Sequence, residues 1–223
     1  AKQRIGKKYK GSSFIAYFQA YTNTYAPVEK LRSLYMPIIK RDDISGLSIA
    51  TRPDCLPKDT ISFLDELNRI KPLWVELGFQ TSKEESIKYI RRGYETKIYD
   101  EAVRRLNEKG IHTITHIILG LPGEDENDML GSVRHALNAG TKGLKLQLLH
   151  VLKGTDLEKD HKEGKFETLT FEGYLEILKK CLEIIPDDVV IHRLTGDGPK
   201  KLLVSPLWSA DKKRVMNAIR SIT

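Results

Sequence analysis

IHTITHIILGLPGE, residues 111–124, is the stretch from which the rest of the chain can be read. β-Branched residues dominate its first eight positions, which suits a pleated strand better than a helix. Gly120, Pro122 and Gly123 stop that strand in a tight turn. Glu124, Asp125, Glu126 and Asp128 follow, and acidic side chains favour a helix N-terminus because they face the positive end of its dipole. Met129, Leu130, Val133, Ala136 and Leu137 then recur at helical spacing. Strand, glycine-rich turn and helix make a βα unit. In α/β folds ligands bind at the carboxyl ends of strands, where such turns lie. Glycine there lets bare backbone approach a ligand, although a tight turn without a ligand would use the same residues.

Outward from this unit the pattern repeats. Residues 14–18 read as a first strand with a polar exit from Gln19 to Thr24. A helix begins near Pro27, buries Val28, Leu31, Leu34 and Tyr35, and is ended or bent by Pro37. Residues 44–50 form a second strand, and Ile61, Leu64, Leu67 and Ile70 mark the next helix. Residues 73–79 form a third strand with its exit at Gln80 and Thr81, followed by helical pieces at 84–90 and 98–109 that Gly110 caps. Residues 143–151 are the fifth strand, 170–185 a long amphipathic helix, 189–194 a sixth strand, and 211–222 a last helix. This alternation predicts an α/β fold with a parallel sheet, open or curved into a barrel. Right-handed crossovers put all strand exits on one rim.

Composition narrows the class. The 223 residues are 40% hydrophobic and 30% charged, as in a soluble globular protein. No apolar run is long enough to span a membrane, and the start has no signal-peptide pattern. Cys55 and Cys181 form no CxxC, which argues against a disulfide scaffold and a cysteine-rich metal site in this chain. A reducing, cytoplasmic setting follows. The net charge is +7, and Lys2, Arg4, Lys7, Lys8 and Lys10 crowd the start, as a solvated face or as an attractor of RNA.

Side-chain alternation groups further residues. If Gln80 points inward, so do Glu76 and Trp74; if His116 does, so does His112. An interior with these groups is costly unless a ligand or a network satisfies them. The opposite parity in one strand, or histidines satisfied within the core, would remove that requirement.

The residues then show a family resemblance. FQAYTNT (18–24), ELGFQT (76–81), RRGY (91–94), ILGLPGE (118–124) and KGT (153–155) follow one another as in radical S-adenosylmethionine enzymes. The chain resembles the branch that holds oxygen-independent coproporphyrinogen oxidase and the elongator-type tRNA-modifying subunit. Within it, a bacterial group is similar through FQAYTNTYAP, ATRPDCLP, ELGFQT, LGLPGE and HRLTGDGPK.

The resemblance implies a partial (βα)6 TIM-like barrel over residues 1–160, without its first strand and cluster loop, and a C-terminal α/β extension over 161–223. It implies S-adenosylmethionine lying across the strand exits. Gln19, Ala20 and Tyr21 take the place of a glycine-rich segment that receives the methionine amino group, with larger residues replacing two glycines. Gln80 matches a ribose ligand, suited because an amide both donates and accepts. Arg92 matches a cation for the methionine carboxylate, whose two oxygens fit a guanidinium fork. His116 stands where relatives carry an acidic ribose contact. Gly120, Leu121 and Pro122 match the wall against the adenine, and Leu149 and His150 lie where the fifth strand supplies its other edge. His192, Arg193, Asp197 and Trp208, after the last strand, are candidate substrate contacts.

The family also holds a [4Fe–4S] cluster on a trio of cysteines, and thiolates are what such clusters require. This chain has no such trio, so no metal ligand is expected within it. Two readings result. One is a radical S-adenosylmethionine enzyme whose cluster segment lies upstream of Ala1, served by an electron donor, these residues alone being inactive. The other is a cluster-free module that binds a nucleotide-like ligand or RNA.

Overall fold

The structure, a computed structural model, describes residues 13–196 and 198–222. The basic cluster from Lys2 to Lys10 lies outside the described residues, as does Asp197. Strands β1 (Phe14–Phe18), β2 (Ile44–Thr51), β3 (Leu73–Gln80), β4 (His112–Leu119), β5 (Gly143–Leu148) and, later in the chain, β7 (Val190–Arg193) form one sheet in the order β1-β2-β3-β4-β5-β7. The pairs β1–β2, β2–β3, β4–β5 and β5–β7 are parallel, as the strand–helix alternation requires. A small antiparallel ribbon joins β6 (Val151–Leu152) to β8 (Leu203–Ser205).

Two compact units divide the chain: the described residues up to Gly78 with Ile98–Thr113, and Phe79–Lys97 with the residues from Ile114 onward. In the first, helix α1 (Val28–Ile39) buries Leu31, Tyr35 and Ile39 at four-residue spacing, one stripe of a helix. Pro37 lies inside α1, which ends two residues on. Helix α2 (Lys58–Ile70) buries Ile61, Phe63, Leu64 and Leu67, and Tyr99, Val103 and Leu106 of α4 (Thr96–Asn107) are fully buried. Each such side chain stabilises the fold by roughly 1.5–3 kcal/mol. The short α3 (Glu84–Tyr89) belongs to the second unit. There α5 (Glu126–Asn138) starts with a capping box, in which Asp125 accepts from Asp128 N while the Asp128 carboxylate accepts from Asp125 N. The later helices are α6 (Asp156–Lys162), α7 (Phe171–Ile184) and α8 (Lys212–Arg220). Among the described residues no helix is long and apolar enough to cross a membrane.

The structure corrects the sequence reading in four places, the first being Leu34, expected in the buried stripe of α1 but 46% exposed. The strand expected over 143–151 is broken: β5 stops at Leu148, with Leu149 N giving the last ladder bond to Leu119 O at 3.0 Å, and β6 pairs with a strand the sequence did not signal. Helix α6 was not expected; Thr155 starts it by accepting from Glu158 N. His112 is exposed, so it does not join a polar interior. Glu76 does, with 3% exposure, and its carboxylate accepts from Tyr17 Oη at 2.8 Å and Ser48 Oγ at 2.7 Å within the first unit.

Candidate functional site

In the second unit the exit of β3 is distorted. Thr81 N donates to Phe79 O at 3.0 Å, which closes a three-residue turn around Gln80, whose φ is +70°. A turn of this kind is rare, and a left-handed non-glycine residue costs about 1–2 kcal/mol. Gln80 Oε1 is shielded from solvent and accepts no hydrogen bond. Such an acceptor gains from acquiring a hydroxyl donor, as a ribose diol supplies.

Arg92 supports this turn. Its guanidinium is 6% exposed and donates through Nη1 to Phe79 O at 3.0 Å and Thr81 O at 2.9 Å, the carbonyls either side of Gln80. Nη2 donates to Tyr94 O at 3.1 Å and Thr96 Oγ1 at 3.0 Å, and Nε to Tyr94 O at 3.2 Å. The guanidinium lies 4.4 Å from the Tyr94 ring centroid and 5.5 Å from that of Phe79. The family resemblance had given Arg92 a ligand carboxylate as its partner. Its donors are spent on backbone carbonyls and a hydroxyl.

The turn after β4 is tied to the same exit. Thr81 Oγ1 donates to Glu124 Oε1 at 2.5 Å, and Lys83 Nζ reaches Gly123 O at 2.8 Å and Asp128 Oδ2 at 2.6 Å. Burial raises the Glu124 carboxyl above the usual carboxylate range. Gly120 has φ +85°, and a Cβ there would stand 2.9 Å from Leu169 Cδ1, so both backbone and space demand glycine. Leu121 and Leu149, proposed as opposite edges of an adenine slot, share one apolar cluster with Val151 and Phe166. Pro122 is half-buried between Leu121 and Gly123. His116 is half-buried, with its Nδ1 only 3.4 Å from Gln147 Nε2.

His150 meets the last strand's exit. A Cβ added to Gly196 would lie 2.8 Å from His150 Cε1, and one added to Gly198 would lie 3.1 Å from its Nδ1. His192 packs over Gly143, where a Cβ would meet its ring at 2.8 Å. His192 and Arg193, with Thr195, Lys212, Val215 and Met216, line a cavity of about 410 Å³. Trp208 stays out of it. Its Nε1 donates to Leu169 O at 3.0 Å and its ring packs on Phe171 and Tyr174, the geometry of a packing residue.

In the first unit Gln19, Ala20 and Tyr21 are exposed, Tyr21 by 97% and with φ +63°. Asn23 Nδ2 braces that exit by donating to Phe18 O at 3.1 Å and Ala50 O at 2.8 Å. Sequence reasoning missed Asn23, Thr81, Glu124 and Tyr94. An asparagine in a strand exit and a threonine just after one were the available signals.

The donor set does not fit an iron–sulfur cluster. Among the described residues no three His, Cys, Asp or Glu side chains are grouped to hold a metal. Burial pushes the Cys55 thiol up and the Cys181 thiol up to about 12, away from the thiolate a cluster requires.

Comparison with known proteins places this geometry. Residues 2–136 match the Radical SAM superfamily model, and 141–222 match the Radical_SAM C-terminal domain. YtqA of Bacillus subtilis is 45% identical over 218 residues, covering 98% of this chain and 68% of that protein. A tRNA uridine(34) acetyltransferase of Methanocaldococcus jannaschii is 27% identical over 162 residues, 71% of this chain and 29% of its own. The solved structure of archaeal Methanocaldococcus infernus Elp3 superposes with a TM-score of 0.79 at 18% identity, covering 96% of this chain and 56% of that one. The fold is thus the α/β partial TIM-like barrel that the alternation and motifs implied. With a family model over more than half its length and a relative aligned along nearly all of it, the chain belongs to the radical SAM superfamily.

Proposed function

We propose that the protein is part of an enzyme that binds S-adenosylmethionine and, with a [4Fe–4S] cluster held by cysteines outside the described residues, cleaves it reductively to begin radical chemistry on a further substrate. The observation that carries the cofactor reading is Gln80, a shielded acceptor without a donor, fixed on a strand exit next to the glycine turn. In this reading the Gln80 amide takes the ribose hydroxyls, and the backbone of Gly120, Leu121 and Pro122 with Leu149 and His150 walls the adenine. The amino-group role of Gln19, Ala20 and Tyr21, the ribose role of His116, and the division into residues 1–160 and 161–223 rest on family resemblance. When bound and cleaved, S-adenosylmethionine supplies a carbon radical. What these residues do is hold the nucleoside and keep water from its base.

RNA is the substrate class we favour. A relative acts in name on tRNA, the net charge is +7, and exposed Lys212, which lines the cavity of His192 and Arg193, is followed by exposed Lys213 and Arg214. A cytoplasmic location and an electron donor belong to the same proposal. Anaerobic reconstitution of the complete protein with iron and sulfide tests it. Methionine and 5′-deoxyadenosine should appear from S-adenosylmethionine. Binding without cleavage would favour a cluster-free binding module, and no binding would refute both.

A further inference from the structure

We infer that Arg92 is a positioning residue: by gripping the carbonyls on both sides of Gln80 it holds the strained turn that presents the Gln80 amide to a ribose diol, and it does not ligate the cofactor's carboxylate. This rests on the S-adenosylmethionine reading above.

The argument is one of donor arithmetic and backbone geometry. A guanidinium has five N–H donors and no acceptor. Arg92 directs five hydrogen bonds at Phe79 O, Thr81 O, Tyr94 O (twice) and Thr96 Oγ1. A bidentate carboxylate would have to strip at least two of these from buried acceptors. The two carbonyls that share Nη1 bracket a single residue, and that residue is left-handed. Phe79 O accepts from Thr81 N as well, so the turn's own hydrogen bond and the arginine converge on one oxygen. Phe79 O anchors the peptide before Gln80, Thr81 N ties the peptide after it to the same oxygen, and Thr81 O anchors the next one, which together set the direction in which the Gln80 side chain leaves the backbone. Stacking on Tyr94 keeps the guanidinium in its plane. A lysine could not reproduce this, because an ammonium has three donors and no plane.

The test uses the complete, cluster-loaded protein under anaerobic conditions. Wild type, Arg92→Ala and Arg92→Lys are titrated by calorimetry with S-adenosylhomocysteine and with 5′-methylthioadenosine. The second ligand keeps the base and ribose diol but has no carboxylate. Both variants should lose roughly tenfold in affinity for both ligands, the scale of one displaced hydrogen bond, with the ratio between ligands unchanged. Adding Gln80→Ala to Arg92→Ala should cost nothing more, because the two act as one unit. Amide exchange at Thr81 should accelerate in both variants, a readout independent of any ligand. A loss confined to S-adenosylhomocysteine, or its rescue by lysine, would overturn the inference. If wild type binds neither ligand, the cofactor reading falls and takes this inference with it. Should both Arg92 variants fail to fold, Thr96→Val removes one anchor of the guanidinium and reads the same ligand ratio. An unchanged ratio with weaker binding supports the positioning role, and a selective or absent loss overturns it.

Discussion

The exits of β1 and β3 carry the same backbone distortion and are built in opposite ways. Tyr21 and Gln80 are both left-handed non-glycine residues, at φ +63° and +70°. Gln80 is clamped by a buried arginine and linked through Thr81 to Glu124. Tyr21 is 97% exposed, and Asn23 braces its exit. The contrast teaches that strain alone does not identify a built site. Strain that surrounding buried groups over-determine does.

That contrast can be broken by mutation. The largest effect is expected from Arg92→Ala, which removes five hydrogen bonds to Phe79 O, Thr81 O, Tyr94 O and Thr96 Oγ1. About 3 kcal/mol or more of stability should be lost, a fall in Tm of about 6–12 °C for a chain of this size. A loss below about 1 kcal/mol would show that the clamp does not determine the β3 exit. Gln80→Val should cost about 2 kcal/mol, because a β-branched residue tolerates φ +70° poorly, whereas Gln80→Gly should be neutral or stabilising. Urea denaturation of the two side by side would separate strain from side-chain contacts. At the other exit Asn23→Ala should cost about 1 kcal/mol, since its amide braces two carbonyls only part-buried. Tyr21→Ala should shift stability by less than about 0.5 kcal/mol. Equal costs at Tyr21 and Gln80 would erase the distinction.

Glu124 sharpens the comparison through pH. Its carboxyl is raised in the folded state, chiefly by burial, so the folded protein holds that proton more tightly than the unfolded chain. The contribution is therefore fully present below the unfolded carboxyl range and lost as pH rises through the folded value. Glu124→Gln should remove that component, so wild type loses more stability than the variant as pH is raised from 4 towards neutrality. Parallel stability–pH curves for the two proteins would contradict the raised carboxyl.

Much of the fold was legible because period and punctuation agreed. β-Branched runs ended at glycine or proline, and Leu31, Tyr35, Leu64 and Leu67 fell on buried stripes as their spacing required. The broken fifth strand was not legible. Nothing in Leu148-Leu149-His150-Val151 marks where a ladder stops; β5 ends where its partner β4 ends, at Leu119. At the site, Gln80 was found at a distorted exit because it ends a strand pattern. Arg92 was singled out for its charge, yet its partners are main-chain carbonyls, which leave no signature in side-chain identity. His112 failed for a simpler reason: it is the first residue of β4 and is exposed at the strand's end, although Ile114 on the same face is buried.

The glycines of Thr195-Gly196-Asp197-Gly198-Pro199 read in sequence as punctuation, yet neither Gly196 nor Gly198 has a left-handed backbone. What both lack is room, for the His150 imidazole fills the place each Cβ would take. Positions 150 and 196 therefore hold a single volume in common tenancy. A methyl group at one can enter only as the ring at the other leaves. A Cβ at 196 would also meet Leu148 O at 3.0 Å, so a smaller residue at 150 relieves only part of the crowding there.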